Sequence, residues 1–179
     1  PEEPVVRVSV REEMDRARKI HEQAHKVVRS MMGDVRLGKA VSLEDAEPVV
    51  EAITGSVLRN SGALLGLIGI KNKDDYTFLH SVSVCTLMIA FGRSLGLAGE
   101  DLRQGGIGGL LDDLGKMKVP DAVLNKPGPL DAAETALMQQ HVEIGLRILS
   151  AIEVLRDVLP LVEFHQERWD GKREGVAYP

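Results

Sequence analysis

The chain has 179 residues, of which 44% are hydrophobic and only 3% aromatic, enough apolar material for one packed domain and unlike a disordered polymer. Its 22 Lys and Arg against 27 Asp and Glu give a formal charge of -5 with no long basic run, which argues against duplex nucleic acid as a partner. No apolar run approaches the roughly 20 residues that span a bilayer, the acidic start Pro1 to Pro4 lacks the basic and apolar regions of a signal peptide, and the single Cys85 has no intrachain partner; a cytoplasmic segment outside the membrane is expected.

Leu, Val, Ile, Ala and Met supply most of the apolar set, which favours helix packed on helix and predicts an all-α fold. After an extended lead-in within residues 1–10, the stretch from Arg11 to Val35 places Met14, Ala17, Ile20, Ala24, Val27, Val28, Met31 and Val35 at helical spacing, the pattern of one long amphipathic helix. Gly38 stands where that helix should stop, and Ser42 offers an N-cap before the apolar series from Val49 to Ile70, with a break expected near Gly55 or Gly62. Asn72, Asp74 and Asp75 punctuate the chain before Leu79, Val82, Leu87, Phe91 and Leu95 mark a third helix ending near Gly96. A fourth helix runs from about Glu100 to Leu114, closed by Gly115, and the prolines 120, 127 and 129 make Val119 to Leu130 a rigid loop. Asp131-Ala-Ala-Glu134 is a helix start; helical pattern continues through His141 to Leu149 and from Val154 to about Arg168. The expected organisation is a lead-in (1–10), an N-terminal helical region or linker (11–72) and a further helical domain (73–179).

Four separated segments carry groups able to ligate a metal: His80; Asp112 with Asp113; His141; and His165 with Gln166 and Glu167. Taken singly, each is as readily a solvated or packed side chain. Together, imidazoles and carboxylates from several helices are the material from which metal sites inside helical bundles are built. The surrounding text is more specific: Tyr76-Thr-Phe-Leu-His80-Ser, Leu110-Leu-Asp-Asp113-Leu-Gly-Lys116, Val119-Pro-Asp, Lys126-Pro-Gly, His141-Val-Glu-Ile-Gly145 and Phe164-His-Gln-Glu-Arg-Trp-Asp-Gly171.

In that order these segments resemble the successive motifs of HD-GYP domains, members of the HD phosphohydrolase superfamily, and the resemblance covers roughly Asp75 to the C-terminus. It implies an HD-domain helical bundle preceded by long N-terminal helices, and a bacterial signalling role. It also implies a centre of two or three divalent ions, iron or manganese, that hydrolyses cyclic di-GMP to a linear dinucleotide or GMP. Carried across by residue, His80, His141 and His165 match histidine ligands, Asp113 the metal-bridging aspartate, and Lys116 the lysine that meets the substrate phosphate. In such a centre paired ions activate a bridging water and stabilise in-line displacement at phosphorus, while the lysine neutralises developing charge. Glu167 and Asp170 match positions from which imidazoles can be oriented.

The departures from the family pattern predict impaired activity. Asp112 stands where the family has the histidine of its His-Asp pair, and Gln166 where it has the second histidine of a His-His pair. Asp112 can still ligate through oxygen, favouring harder ions such as manganese or magnesium, whereas Gln166 is a weak ligand. Asp170-Gly171 begins the family's Asp-Gly-x-Gly-Tyr-Pro motif, but Lys172 to Ala177 intervene before Tyr178-Pro179, so the domain is expected to be incomplete at its C-terminus. The alternative expectation is a non-catalytic module that binds cyclic di-GMP or partner proteins such as GGDEF proteins. The long first helices also suit pairing into a homodimer, a reading that periodicity alone does not separate from packing within the chain.

Two further features have simpler readings. His21-Glu22-Gln-Ala-His25 matches a zinc protease pattern, yet Arg18, Lys19 and Lys26 flank it, and an exposed face with His25 toward solvent is expected. Gly145, one turn after His141, is expected to let another element approach closely.

Overall fold

The computed structural model describes residues 6–68, 76–167 and 170, and all regular structure among them is helical. Helix α1 (Val10–Arg36) begins in a capping box: the Ser9 hydroxyl accepts the Glu12 N–H at 3.3 Å, and the Glu12 carboxylate accepts the Ser9 N–H at 2.8 Å. Its buried stripe includes Ala17, Ala24, Val28, Met31 and Val35, as the spacing predicts. Helix α2 (Leu43–Leu65) starts at the Ser42 N-cap and packs along α1.

The break in α2 falls at Asn60 (φ -161°, ψ 105°), between the two glycines expected to make it. There the Asn60 amide replaces backbone partners: its nitrogen donates to Val8 O at 2.8 Å and its oxygen accepts the Gly62 N–H at 3.0 Å. The apolar series expected to continue to Ile70 leaves the helix after Leu65. Ile70, Asn72, Asp74 and Asp75 lie outside the described residues.

Helix α3 (Tyr76–Ser94) ends before Gly96, whose φ of 86° is the left-handed conformation that suits glycine after a helix. Helix α4 (Gly99–Leu111) lies against α3 closely enough that a Cβ on Gly109 would come within 3.1 Å of the Cys85 nitrogen. Cys85 is fully buried there, and burial pushes its thiol pKa up, so it packs as a small hydrophobe.

Helix α4 stops at Leu111, three residues before the expected end, and a 3-10 turn follows over Leu114–Lys118. The reason is a close crossing: a Cβ on Gly115 would sit 1.9 Å from His141 O, so that backbone must pass bare under the start of α7. The loop expected over Val119 to Leu130 contains a short helix, α5 (Asp121–Leu124). Helix α6 (Ala132–Gln139) opens with the Asp131–Glu134 capping box, and α7 (His141–Leu149) follows after Gln140.

The helix expected from Val154 to Arg168 is instead a 3-10 turn, Glu153–Leu155, followed by α8 (Leu159–Phe164). Pro160 has no N–H to donate and is compatible with the first turn of a helix, so it marks a new start. Arg168 lies outside the described residues. One apolar cluster, from Ala17 and Val28 on α1 through Ile53 and Ile89 to Leu111, Leu149 and Val162, runs beneath the helices and holds the α4–α7–α8 junction in place.

Candidate functional site

Asp113 lies in the turn between α4 and the following 3-10 turn and is 1% exposed. His141 opens α7, and His165 directly follows α8. The crossing at Gly115 brings the first under Asp113, and the packing of α8 on α4 and α7 brings the second. Asp113 Oδ1 is 3.4 Å from His141 Nε2 and 3.5 Å from His165 Nε2, and the two Nε2 atoms are 3.2 Å apart. One ligand atom from each of the three residues lies within 4.8 Å of the others.

The outer nitrogens set the chemistry of the inner ones. His141 Nδ1 is 2.6 Å from Met138 O, and His165 Nδ1 is 2.7 Å from Val162 O. A carbonyl only accepts, so each Nδ1 carries a proton, and each ring in its neutral form turns an Nε2 lone pair inward. Two lone pairs thus converge on a carboxylate oxygen that receives no hydrogen bond among the described residues. With both rings neutral, three acceptors meet at one point, an arrangement relieved by a proton on His165 or by a cation, and two imidazoles with a carboxylate are suitable ligands for iron or manganese. The donor set therefore fits a divalent ion.

The titration behaviour follows the same geometry. Burial opposes charge on His165, but the Asp113 carboxylate and the Val162 carbonyl outweigh it and raise its pKa above the ordinary value. Burial lowers that of His141. Burial also works against the Asp113 anion, yet His165 and Lys116 hold its pKa well below the usual carboxylate range.

The other sequence-nominated residues surround this triad. Lys116 Nζ donates to Asp113 Oδ2 at 2.6 Å, and His80 Nε2 lies 3.5 Å from that same oxygen. Asp112 is buried beside it; its Oδ1 accepts the Asp113 N–H at 2.7 Å, and burial with the adjacent Asp113 charge pushes its pKa up to about 6. Gln166 lines two clefts. One, about 440 Å³, also includes Thr77, Lys116, Gln139 and His141; the other, about 430 Å³, includes His80, Asp112, Phe164 and His165. The anchoring carbonyls of Met138 and Val162 belong to no motif, although each stands three residues before its histidine, the offset at which a ring beside a helical turn reaches back to the chain.

His21 and His25 stay apart from this cluster. Both are half-buried on α1, and the His25 ring lies 6.2 Å from that of Phe78, so the expected solvent-facing position of His25 is corrected. Among the described residues, the Asp113–His141–His165 group is where three such ligands converge. Gly145 stands near Gly115, a Cβ on it reaching 3.5 Å from the Gly115 nitrogen, so it shares the tight crossing. Asp170 is described, while Gly171 and the segment Lys172 to Pro179 lie outside the described residues.

Comparison with known proteins places this geometry. The HD domain family matches residues 70–175, and a domain of unknown function (DUF3391) matches residues 1–46. A cyclic di-GMP phosphodiesterase of Pseudomonas aeruginosa is 43% identical over 174 residues, which cover 97% of this chain and 41% of that protein. A cyclic di-GMP phosphodiesterase of Thermotoga maritima is 44% identical over 63 residues, 34% of this chain and 17% of the relative. A 3'3'-cGAMP-specific phosphodiesterase of Vibrio cholerae is 33% identical over 110 residues, 60% of this chain and 22% of the relative. The chain thus spans about two fifths of the first of these relatives and less of the others. No solved structure gives a significant match. With more than half of its length matched, an all-α bundle and relatives named as cyclic dinucleotide phosphodiesterases, the chain belongs to the HD domain family, a metal-dependent family.

Proposed function

We propose that this chain is a bacterial signalling domain of the HD-GYP type that hydrolyses cyclic di-GMP to a linear dinucleotide or GMP, with impaired turnover. The observation that carries the reading is the convergence of two imidazole lone pairs on the unbonded Asp113 Oδ1, beside a cleft into which Lys116 opens. Iron or manganese is the expected ion. Bound there, it supplies Lewis acidity toward a phosphate oxygen and lowers the pKa of a water.

The chain's own residues perform the remaining tasks. His141 and His165 are held in one tautomer by Met138 and Val162, and Asp113 contributes the anionic ligand. The Lys116 ammonium, 21% exposed in the cleft, offsets negative charge on the phosphodiester as water attacks. Water's oxygen forms the new bond to phosphorus, the bond from phosphorus to a ribose oxygen breaks, and a proton passes to that leaving oxygen. His80, near the other oxygen of Asp113, and Asp112 would serve as further ligands, and Gln166 as a weak one. The names of the relatives support a cyclic dinucleotide as the substrate class.

No described helix is long and apolar enough to cross a membrane, and a cytoplasmic location is part of the proposal. The division at residue 72 into an N-terminal helical region and an HD-GYP-like domain belongs to the same proposal. Loss of histidine at positions 112 and 166 favours a second reading, a non-catalytic module that binds cyclic di-GMP or partners such as GGDEF proteins. Hydrolysis measured with manganese or anaerobic ferrous iron separates the two. The enzymatic reading expects slow turnover that disappears in Asp113→Ala and increases when histidine is placed at 112 and 166. Absence of turnover in a folded protein, with that double substitution equally silent, would overturn the enzymatic reading, and cyclic di-GMP binding measured by calorimetry would then support the module.

A further inference from the structure

We propose that a cleft lined by Arg7, Arg59 and Arg93 binds a small phosphorylated molecule, with its phosphate on the guanidiniums and its esterified group on the apolar side of the cleft. The cleft has a volume of about 450 Å³ and shares no lining residue with the two clefts beside Asp113, so the inference goes beyond the phosphodiesterase reading and does not depend on it.

The Asn60 break builds the site. Extended backbone there (φ -161°, ψ 105°) interrupts α2 between Arg59 and Ser61, and both of these residues line the cleft. The lead-in is pinned across the break: the Val8 N–H donates to Arg59 O at 3.3 Å, and the Asn60 amide donates to Val8 O at 2.8 Å, which sets the neighbouring Arg7 at the cleft. Arg93, in the last turn of α3, reaches back so that its Nη1 donates to Val57 O. Three segments distant in sequence thus bring three guanidiniums to one concavity.

Charge decides what that concavity attracts. No Asp or Glu lines it. Arg59 gives Nε and Nη2 to Glu13, whose charge offsets its own. Arg7 and Arg93 face no carboxylate among the described residues, so three guanidiniums less one Glu13 charge leave two positive charges at the cleft. Each guanidinium carries five N–H donors, and Arg93 uses one of them on Val57. A carboxylate offers one charge and two oxygens. A phosphate monoester offers up to two charges and three terminal oxygens, the better match for forks that arrive from different directions. Val8, Leu58 and Ala90 supply the apolar side, and the volume falls within the range of about 300–1,000 Å³ usual for small-molecule sites.

The test titrates the intact chain, stripped of metal, with phenyl phosphate, inorganic phosphate and benzoate by isothermal calorimetry, at low ionic strength and above the second phosphate pKa of about 6. The expected result is one phenyl phosphate per chain, bound more tightly than inorganic phosphate or benzoate and more weakly as salt is added. Arg7→Gln, at an exposed side chain, should weaken that binding about tenfold, and Arg93→Lys, which keeps a donor for Val57 O, should weaken it as well. Lys116→Gln should leave it unchanged. Folded Arg7→Gln and Arg93→Lys variants that both bind as the native chain does would overturn the proposal. So would no binding of phenyl phosphate, equally tight binding of inorganic phosphate or benzoate, or loss of binding in Lys116→Gln. These readouts contain neither a metal nor a cyclic dinucleotide, so their failure leaves the phosphodiesterase reading standing, and absence of hydrolysis leaves this inference standing.

Discussion

Two buried carboxylates, one in each half of the molecule, are treated in opposite ways. Glu13 on α1 is fully buried, and the Arg59 guanidinium from α2 closes on both its oxygens, with Nε donating at 2.8 Å and Nη2 at 2.7 Å. That fork holds the Glu13 pKa below its ordinary value, and the pair fastens α1 to α2 next to the Asn60 break. Asp113 is as deeply buried, but the protein fills only one of its oxygens and surrounds the other with acceptors. A carboxylate completed from within the chain contributes to the fold. One left open toward imidazole nitrogens is prepared for something the chain does not itself contain.

The largest expected effect on ion binding comes from removing the open carboxylate. At about a hundred times its dissociation constant, Mn(II) should stabilise the unaltered protein by about 2.7 kcal/mol. Asp113→Ala should abolish that gain in thermal denaturation, and a gain that survives would separate the ion from the triad. Breaking the closed carboxylate should act on stability alone. Glu13→Gln leaves Arg59 without its anion at a cost of roughly 3 kcal/mol, while replacing both residues by leucine should recover most of the loss, as measured by urea unfolding. Because the folded Glu13 pKa is lowered, the pair's contribution is complete above the unfolded value near 4.5 and declines as pH falls through the lower folded value. The stability difference between the native chain and Glu13→Gln should shrink over that acidic window, and a difference independent of pH there would contradict the assignment. A partial effect on ion binding is expected at the crossing that joins the two environments of Asp113. Gly115→Ala should cost about 1–3 kcal/mol by forcing α7 away, and should weaken Mn(II) binding measured by calorimetry as His141 retreats.

The open site was more legible in the sequence than the closed pair. His80, Asp113, Lys116, His141 and His165 announce themselves through their neighbours in sequence, and the structure gathers the other four around the Asp113 carboxylate. The Glu13–Arg59 pair joins positions 46 residues apart through side chains that pattern alone assigns to solvent, so nothing local identifies it. The long first helix follows from its apolar stripe because a stripe that regular has a single helical solution. The end of α4 was missed because it depends on the backbone of α7 crossing at Gly115, a contact between segments distant in the chain. The start of α8 departs from the helix expected from Val154 as well, because the apolar periodicity runs on through Pro160, whose missing donor suits the first turn of a new helix.

The backbone anchors on His141 and His165 have a consequence for the speed and cost of loading. Both rings are oriented by carbonyls in their own turns, so the rotamer freedom that ligands ordinarily surrender on capture, about 0.5–1.5 kcal/mol for each side chain, is already gone when folding ends. An arriving ion then meets a fixed template, with little ordering left to impose and a mutual repulsion of lone pairs to relieve.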